Sequence, residues 1–294
     1  MPVRKKASKP LLVKLDSGIT DRRIVLPDTH GILVDPQALE CVLQAIEILR
    51  PRGVIHLGDV GEWEALCLHN YKRFKQLPQM QELARCIRSE ADQMIGCIIN
   101  PIDEACARSG VEYKTVITGN HDARTDHFVD ANPDYETLAF GEATGYRFKD
   151  LVAWGQRGWK VHPVGELFNV GKLHFYHGHL YGGVNHTRNH LMQFGDNIMY
   201  GHWHDVSYSS KVSLKGPIGA WSMGCLKRLD FSANTWLERR PTNWGQAFAV
   251  VDWWGKEGFF TVHAINIIEG QCSLITNQID GRKPRRALLE ACIK

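Results

Sequence analysis

The run Arg23-Ile24-Val25-Leu26-Pro27-Asp28-Thr29-His30-Gly31 passes directly from an apolar segment to a polar turn. Ile24, Val25 and Leu26 are aliphatic and too few for a helix, so they read as a short buried strand with chemistry at its exit. Downstream, Asp35-Pro36 supplies an N-cap and a first-turn proline. Leu39, Val42, Leu43, Ile46 and Leu49 then recur at helical spacing, with Glu40, Gln44 and Glu47 opposite. Pro51 and Gly53 end that helix. Val54-Ile55-His56-Leu57 forms a second strand closing on Gly58-Asp59. Strand, helix, strand predicts a parallel pair with a right-handed crossover.

A long amphipathic stretch from Pro78 to Arg108 carries Leu83, Ile87, Met94, Ile98 and Ala105 on one stripe, and Pro101 should kink or split it. A third strand, Tyr113 to Ile117, delivers Thr118-Gly119-Asn120-His121-Asp122. Three successive strands thus end in polar clusters, and ligands gather at the carboxyl ends of strands in open α/β sheets. The second half reads as short strands at 159–161, 167–170, 172–176, 198–200, 218–221, 247–253 and 259–265. The expectation is a second, mostly antiparallel sheet.

Composition sets limits. The chain has 294 residues, 44% of them hydrophobic and 23% charged, as in a globular protein. A net charge of +3 is too small to announce a nucleic-acid binder. Basic runs occur at Arg4-Lys5-Lys6 with Lys9 and at Arg282-Lys283 with Arg285-Arg286. The expected organisation is a basic tail over 1–20, a single domain over 21–270 and a basic tail over 271–294. The eight cysteines include no C-x-x-C pair, which argues against thiolate metal sites and fits a reducing cytoplasm. No apolar run is long enough for a membrane span.

Asp28 and His30 stand two residues apart on what reads as an extended exit, so both side chains point to one side and can share a metal. His202-x-His204 after Gly201 has the same spacing. Either pair alone is weak, because surface loops produce such pairs often. Their order along the chain is specific: Asp28-x-His30, Gly58-Asp59, Gly119-Asn120-His121-Asp122, His177-Gly178, Gly201-His202-x-His204. This series resembles the calcineurin-like metallophosphoesterase superfamily, loosely its phage and prophage members, over residues 28 to 204.

The resemblance implies an α+β fold of two packed mixed β-sheets flanked by helices in a four-layer sandwich. It implies two divalent transition-metal ions, Mn²⁺ foremost, with Fe, Zn²⁺ or Ni²⁺ also suited to mixed nitrogen and oxygen ligands. Asp28, His30 and His204 would hold one metal, Asn120, His177 and His202 the other, and Asp59 would bridge them. His121 would be catalytic, stabilising charge or protonating the leaving oxygen, with Asp122 orienting its ring. His179 is the rival to His177. The protein Ser/Thr phosphatases of the superfamily carry an arginine after the second block that is absent after Asp59 here. The expected substrate is therefore a phosphodiester in DNA, another nucleic acid or a nucleotide, with phosphomonoester hydrolysis as the alternative. A non-catalytic scaffold is disfavoured because every ligand position is kept.

Other candidates have simpler readings. His56 and His174 lie within strands and read as structural. Glu62 could support a ligand from behind or simply occupy the first turn of the next helix, and the helix reading is preferred, whereas Arg124 could hold a phosphate oxygen or a carboxylate. Trp63, Trp154, Trp203 and Trp221 could line a base-stacking groove but read first as packing.

Overall fold

Strand β1 (Ile19–Leu26) lies at the centre of a six-stranded sheet in the computed structural model, which describes residues 19–67, 80–131, 145–214, 216–274 and 277–283. On one side β1 pairs in parallel with β2 (Gly53–His56), which pairs with β3 (Tyr113–Ile117) and then β4 (Trp159–His162), all parallel. On the other side it pairs antiparallel with β10 (Gln246–Trp254), which is followed by β11 (Phe259–Ile267). The C-terminal strands and β4 thus join the first sheet, contrary to the expectation that the second half forms its own sheet. Strand periodicity does not encode the partner. One determinant of the register is charge: Arg22 faces Asp252 and binds it with two buried hydrogen bonds of 2.5 and 2.7 Å.

The second sheet has the order β5-β6-β7-β9-β8, with β5 (Phe168–Val170), β6 (Leu173–Phe175), β7 (Ile198–Tyr200), β8 (Val206–Ser213) and β9 (Gly216–Met223). It is mixed rather than mostly antiparallel: β6, β7 and β9 run parallel, and the flanking pairs are antiparallel. The edge strand β8 is not expected from the sequence because Val-Ser-Tyr-Ser-Ser-Lys-Val-Ser has no buried residue, and its alternation of Val206, Tyr208 and Val212 is diluted by serines.

Alternation within the strands sorts two cores. Val25, Ile55, Leu57, Ile117, Ala249 and Val251 pack against Leu173, Phe175, Met199 and Met223 of the second sheet. Their neighbours Ile24, Leu26, Val54, Val116, Phe248 and Val250 face the helices on the outer side. Those helices are α1 (Pro36–Leu49), α2 (Met80–Met94) and α3 (Asn100–Ser109). Beyond the second sheet, α6 (His186–Phe194) buries Leu191 among Tyr176, Ile198, Tyr200 and Ile218. The result is the four-layer arrangement of two mixed sheets flanked by helices. Short helices α4 (Ala123–Ala131) and α5 (Phe148–Leu151) complete the outer layer.

Helix α1 starts as its sequence dictates: Asp35 Oδ1 accepts from the Gln37 and Ala38 amides. Pro101 interrupts the long amphipathic stretch as expected. The π-helical turn Ile95–Ile99 separates α2 from α3, because proline offers no amide to the helical ladder.

Residues expected to start the C-terminal tail form a hairpin instead, β12 (Gln271–Leu274) with β13 (Asn277–Asp280). Cys272 and Leu274 are buried in the helix-side core, and Cys41 Sγ donates to Gly270 O. Helix α1 is accordingly buried beyond one stripe, with Gln44 Nε2 donating to a buried Glu40. The basic runs Arg4-Lys5-Lys6 with Lys9 and Arg285-Arg286 lie outside the described residues. Among the described residues no helix is long and apolar enough to cross a membrane.

Candidate metal centre

The loops after β1, β2 and β3 meet those after β6 and β7 at one end of the sandwich. The first two are zipped together: Thr29 and His30 amides donate to Asp59 O, and the Gly31 amide to Val60 O. Within the second sheet the Gly201 amide donates to His177 O, and across the sheets the His202 amide donates to Asp28 Oδ2 at 2.9 Å.

The segment Asp28-x-His30 is not the extended exit that its spacing suggests. His30, Asp59, His202 and His204 all have left-handed backbones, with φ of 55, 47, 67 and 59°. Such conformations are uncommon for residues with a Cβ and cluster where a site over-determines the chain. The turns, not strand alternation, aim these side chains inward. Two glycines are required by contact: a Cβ at Gly119 would run into Asp59, and one at Gly201 into the Asp28 carboxylate.

The seven residues expected as ligands converge in two groups. In the first, His30 Nε2 lies 2.9 Å from His204 Nε2, and Asp28 Oδ2 lies 3.2 Å from His204 Nε2 and 3.9 Å from His30 Nε2. In the second, His177 Nε2 lies 2.8 Å from Asn120 Oδ1, 3.2 Å from Asp59 Oδ2 and 3.3 Å from His202 Nδ1. Asp28, His30, Asp59, His177 and His204 are buried, while Asn120 and His202 are partly exposed.

Hydrogen bonding identifies the facing atoms as acceptors. His177 Nδ1 donates to Leu57 O at 3.0 Å, leaving the Nε2 lone pair among oxygens of Asn120 and Asp59. His30 Nδ1 donates to Glu62 Oε2 at 2.6 Å, leaving its Nε2 lone pair toward His204. The buried Asp28 Oδ1 has no hydrogen-bond partner. Converging buried lone pairs need a positive charge between them, and mixed imidazole, carboxylate and amide donors without sulfur fit divalent transition metals.

The field agrees. Burial works against a charged His177, yet the Asp59 carboxylate, with help from Asp28, outweighs it and raises the imidazole to about 9, so the oxygens around Nε2 draw a proton to the place a metal cation would take. Burial likewise opposes ionisation of Asp59, but His177 and His121 hold it well below the usual carboxylate range. His202 is pushed down to about 3 by burial and by His177.

His121 sits at the rim. Its amide donates to Asp59 Oδ1 at 2.8 Å, its Nε2 is 4.0 Å from Asp59 Oδ2, and its ring meets that of His30 edge-on at 4.9 Å. Burial lowers its proton affinity, but Asp59 and Glu62 more than compensate, so it is raised. Asp122 does not orient His121; its carboxylate accepts from the Val60, Gly61 and Gly119 amides and ties the second and third loops together. Glu62 precedes the short 3-10 turn Glu64–Leu66 and reaches both His30 and His121, the latter at 3.2 Å. The sequence signal for Glu62 was weak, since a glutamate near a helix start has an ordinary explanation.

Arg124 donates to Glu62 O at 2.7 Å and lies 3.2 Å from His121 Nε2, and Lys227 Nζ lies 3.9 Å from Glu62 Oε2. His179 stays outside both groups, its ring 5.9 Å from His177. His56 is structural: it accepts from the Gly58 amide and meets Thr29 Oγ1. His174 faces Asp196 at the surface. Trp63 and Trp154 are fully buried packing residues, and Trp221 lies between Tyr208 and Phe260. Trp203 packs on His202 and His186. The tryptophan against the first ligand group is instead Trp244, whose ring meets His204 at 4.6 Å.

No protein-family model matches the chain. The gene 54 protein of Mycobacterium phage L5 is 23% identical over 248 residues, which span 79% of this chain and 89% of that protein. Among solved structures, Yfce, a phosphoesterase from E. coli, is matched at 15% identity and a TM-score of 0.36, over 88% of this chain and 98% of that one. A metallophosphoesterase from Sphaerobacter thermophilus is matched at 16% identity and a TM-score of 0.37, over 83% and 87%. The chain is thus similar to a phage protein in sequence, and the solved structures it matches include phosphoesterases.

Proposed function

We propose that the chain is a metal-dependent phosphoester hydrolase of the calcineurin-like class, acting on phosphodiesters of nucleic acid or nucleotides. Asp28, His30, His204 and Asp59 would hold one metal, and Asp59, Asn120, His177 and His202 would hold the other. The observation that carries it is the convergence of buried lone pairs from both sheets beside His121.

When bound, such a metal pair supplies Lewis acidity toward the phosphate and an activated water. The protein supplies position. Leu57 O and Glu62 fix the rings of His177 and His30 so that each presents Nε2. Glu62 holds His121 at Nδ1, and Nε2 is the atom that protonates the leaving oxygen or stabilises its charge. The buried position of the ligands limits competing water, and Asn120, His121 and His202 line the side open to substrate.

A diester carries one negative charge and needs no cation beyond the metal pair. Monoester hydrolysis has its own support, because Arg124 Nη2 lies 3.2 Å from His121 Nε2 and so sets a guanidinium beside the partly exposed histidine. A panel with Mn²⁺ separates the readings: an activated diester, the matching monoester, cyclic nucleotides, and single- and double-stranded DNA. Faster turnover of the diester is expected. Monoester preference would overturn the substrate assignment and leave the metal site standing. The free cysteines among the described residues fit a reducing cytoplasm.

A further inference from the structure

The loop between β9 and β10 contributes no ligand, yet it is stitched to the metal centre at both ends. The Leu226 amide donates to Asp28 O at 2.7 Å, the Arg228 amide to Leu33 O, and the Gly245 amide to His204 O at 2.8 Å. Trp244 also bridges to Asp205 as a strand-like pair. Within the loop, the buried Asn234 side chain donates to Arg228 O and Asp230 O, so its two short 3-10 turns are anchored from inside. A loop held this firmly has no folding reason to leave large aromatic rings in water.

It does so nonetheless. Trp236 is 54% exposed, and its ring lies 5.9 Å from that of Trp244, which contacts the ligand His204 at 4.6 Å. Lys227 Nζ lies 5.9 Å from the centre of the Trp244 ring and also approaches Glu62. The loop is basic, with Lys227, Arg228, Arg239 and Arg240 against Asp230 and Glu238. Flat, apolar rings beside a phosphate-attracting centre, one of them with Lys227 near its face, have the chemistry that stacks nucleobases.

We infer that the exposed Trp236 ring, with the Trp244 ring tilted 49° to it as the adjoining wall, stacks the nucleobase attached to the scissile phosphate, so that the substrate is a nucleoside phosphodiester rather than a simple alkyl or aryl ester. This rests on the phosphodiesterase reading. Trp244 touches a ligand of the metal centre, so a base on this platform lies within one nucleotide's reach of a phosphate held there. Stacking is tolerant of base identity, so the platform selects for a base without selecting which.

The test compares thymidine 5′-(p-nitrophenyl) phosphate with methyl p-nitrophenyl phosphate, which share a leaving group and differ in the nucleoside. In the Mn²⁺-loaded full-length protein, the ratio of kcat/KM for the first over the second should fall roughly 10-fold in Trp236→Ala and recover in Trp236→Phe. Independently of turnover, thymidine 5′-monophosphate should quench tryptophan fluorescence in chelator-treated protein, with weaker binding in Trp236→Ala. A ratio unchanged by Trp236→Ala, or unaltered thymidine monophosphate binding, overturns the platform. If the wild type hydrolyses neither ester, the phosphodiesterase reading fails instead, and the binding measurement still decides the platform.

Discussion

His30 Nδ1 donates to Glu62 Oε2 at 2.6 Å, which places a carboxylate directly behind an expected metal ligand. The same carboxylate is 3.2 Å from His121 Nδ1, so one side chain positions both an expected ligand and the histidine proposed to act on the leaving oxygen. Burial opposes ionisation of Glu62, but hydrogen bonds to His121 and His30 lower it, so it is anionic at neutral pH. Glu62→Gln should therefore reduce kcat and metal affinity together, each roughly 10- to 100-fold. Steady-state kinetics and metal analysis of the purified variant measure this. Wild-type values for both would remove Glu62 from the site.

Asp59 is the residue both metals would share. Purified protein should carry close to two transition-metal ions, lose activity in chelator and regain it with Mn²⁺. Asp59→Asn should lower occupancy of both sites, whereas Asp28→Asn should spare the group of His177, Asn120 and His202. Full activity in chelator would end the metal reading.

Asp122 accepts three backbone amides from two loops while fully buried. Burial and the nearby Asp59 push it up to about 6, and the three amides pull the other way. Asp122→Ala strands those donors, each at roughly 1–3 kcal/mol, so a stability loss on the order of 3 kcal/mol or more is expected in denaturant titration. Asp122→Asn keeps one acceptor and should lose less. An effect confined to kcat with unchanged stability would restore the orienting role expected from sequence.

His56 is pushed from 6.5 to about 4 by burial, against the upward pull of Asp28 and Asp59. Its folded-state value lies below its unfolded value, so between them the unfolded chain binds a proton that the folded chain does not. Stability is therefore fully present above about pH 6.5 and falls as pH drops toward 4, by up to roughly 3 kcal/mol from this residue. His56→Gln should flatten that decline relative to the wild type in chemical denaturation across the window. An equally steep decline in the variant would show that His56 is not its source.

Much of this protein is legible in its sequence by itself. Aliphatic runs ending at Pro27, Gly58 and Thr118 mark three parallel strands, because a strand buried on both faces must be apolar and its exit need not be. Asp35-Pro36 sets the start of α1, since capping is a local event. The ordered blocks from Asp28 to His204 name the residues that the fold brings together, because each is short and tied to a turn with its own glycine.

What only the tertiary structure decided involves partners distant in the chain. The pairing of β10 with β1 brings Arg22 to Asp252 from 230 residues away, and the hairpin at 271–280 packs on a surface supplied by α1. The roles of Glu62 and Asp122 exchanged for the same reason: both are carboxylates near the ligands, and only loop packing determines that one reaches imidazoles and the other backbone amides. Left-handed turns at His30, Asp59, His202 and His204 aim the ligands, and they are held by hydrogen bonds between loops that no local pattern encodes. Trp244 reaches His204 only because the β9–β10 loop returns across the site, a path fixed by amides and carbonyls, which are the same in every sequence.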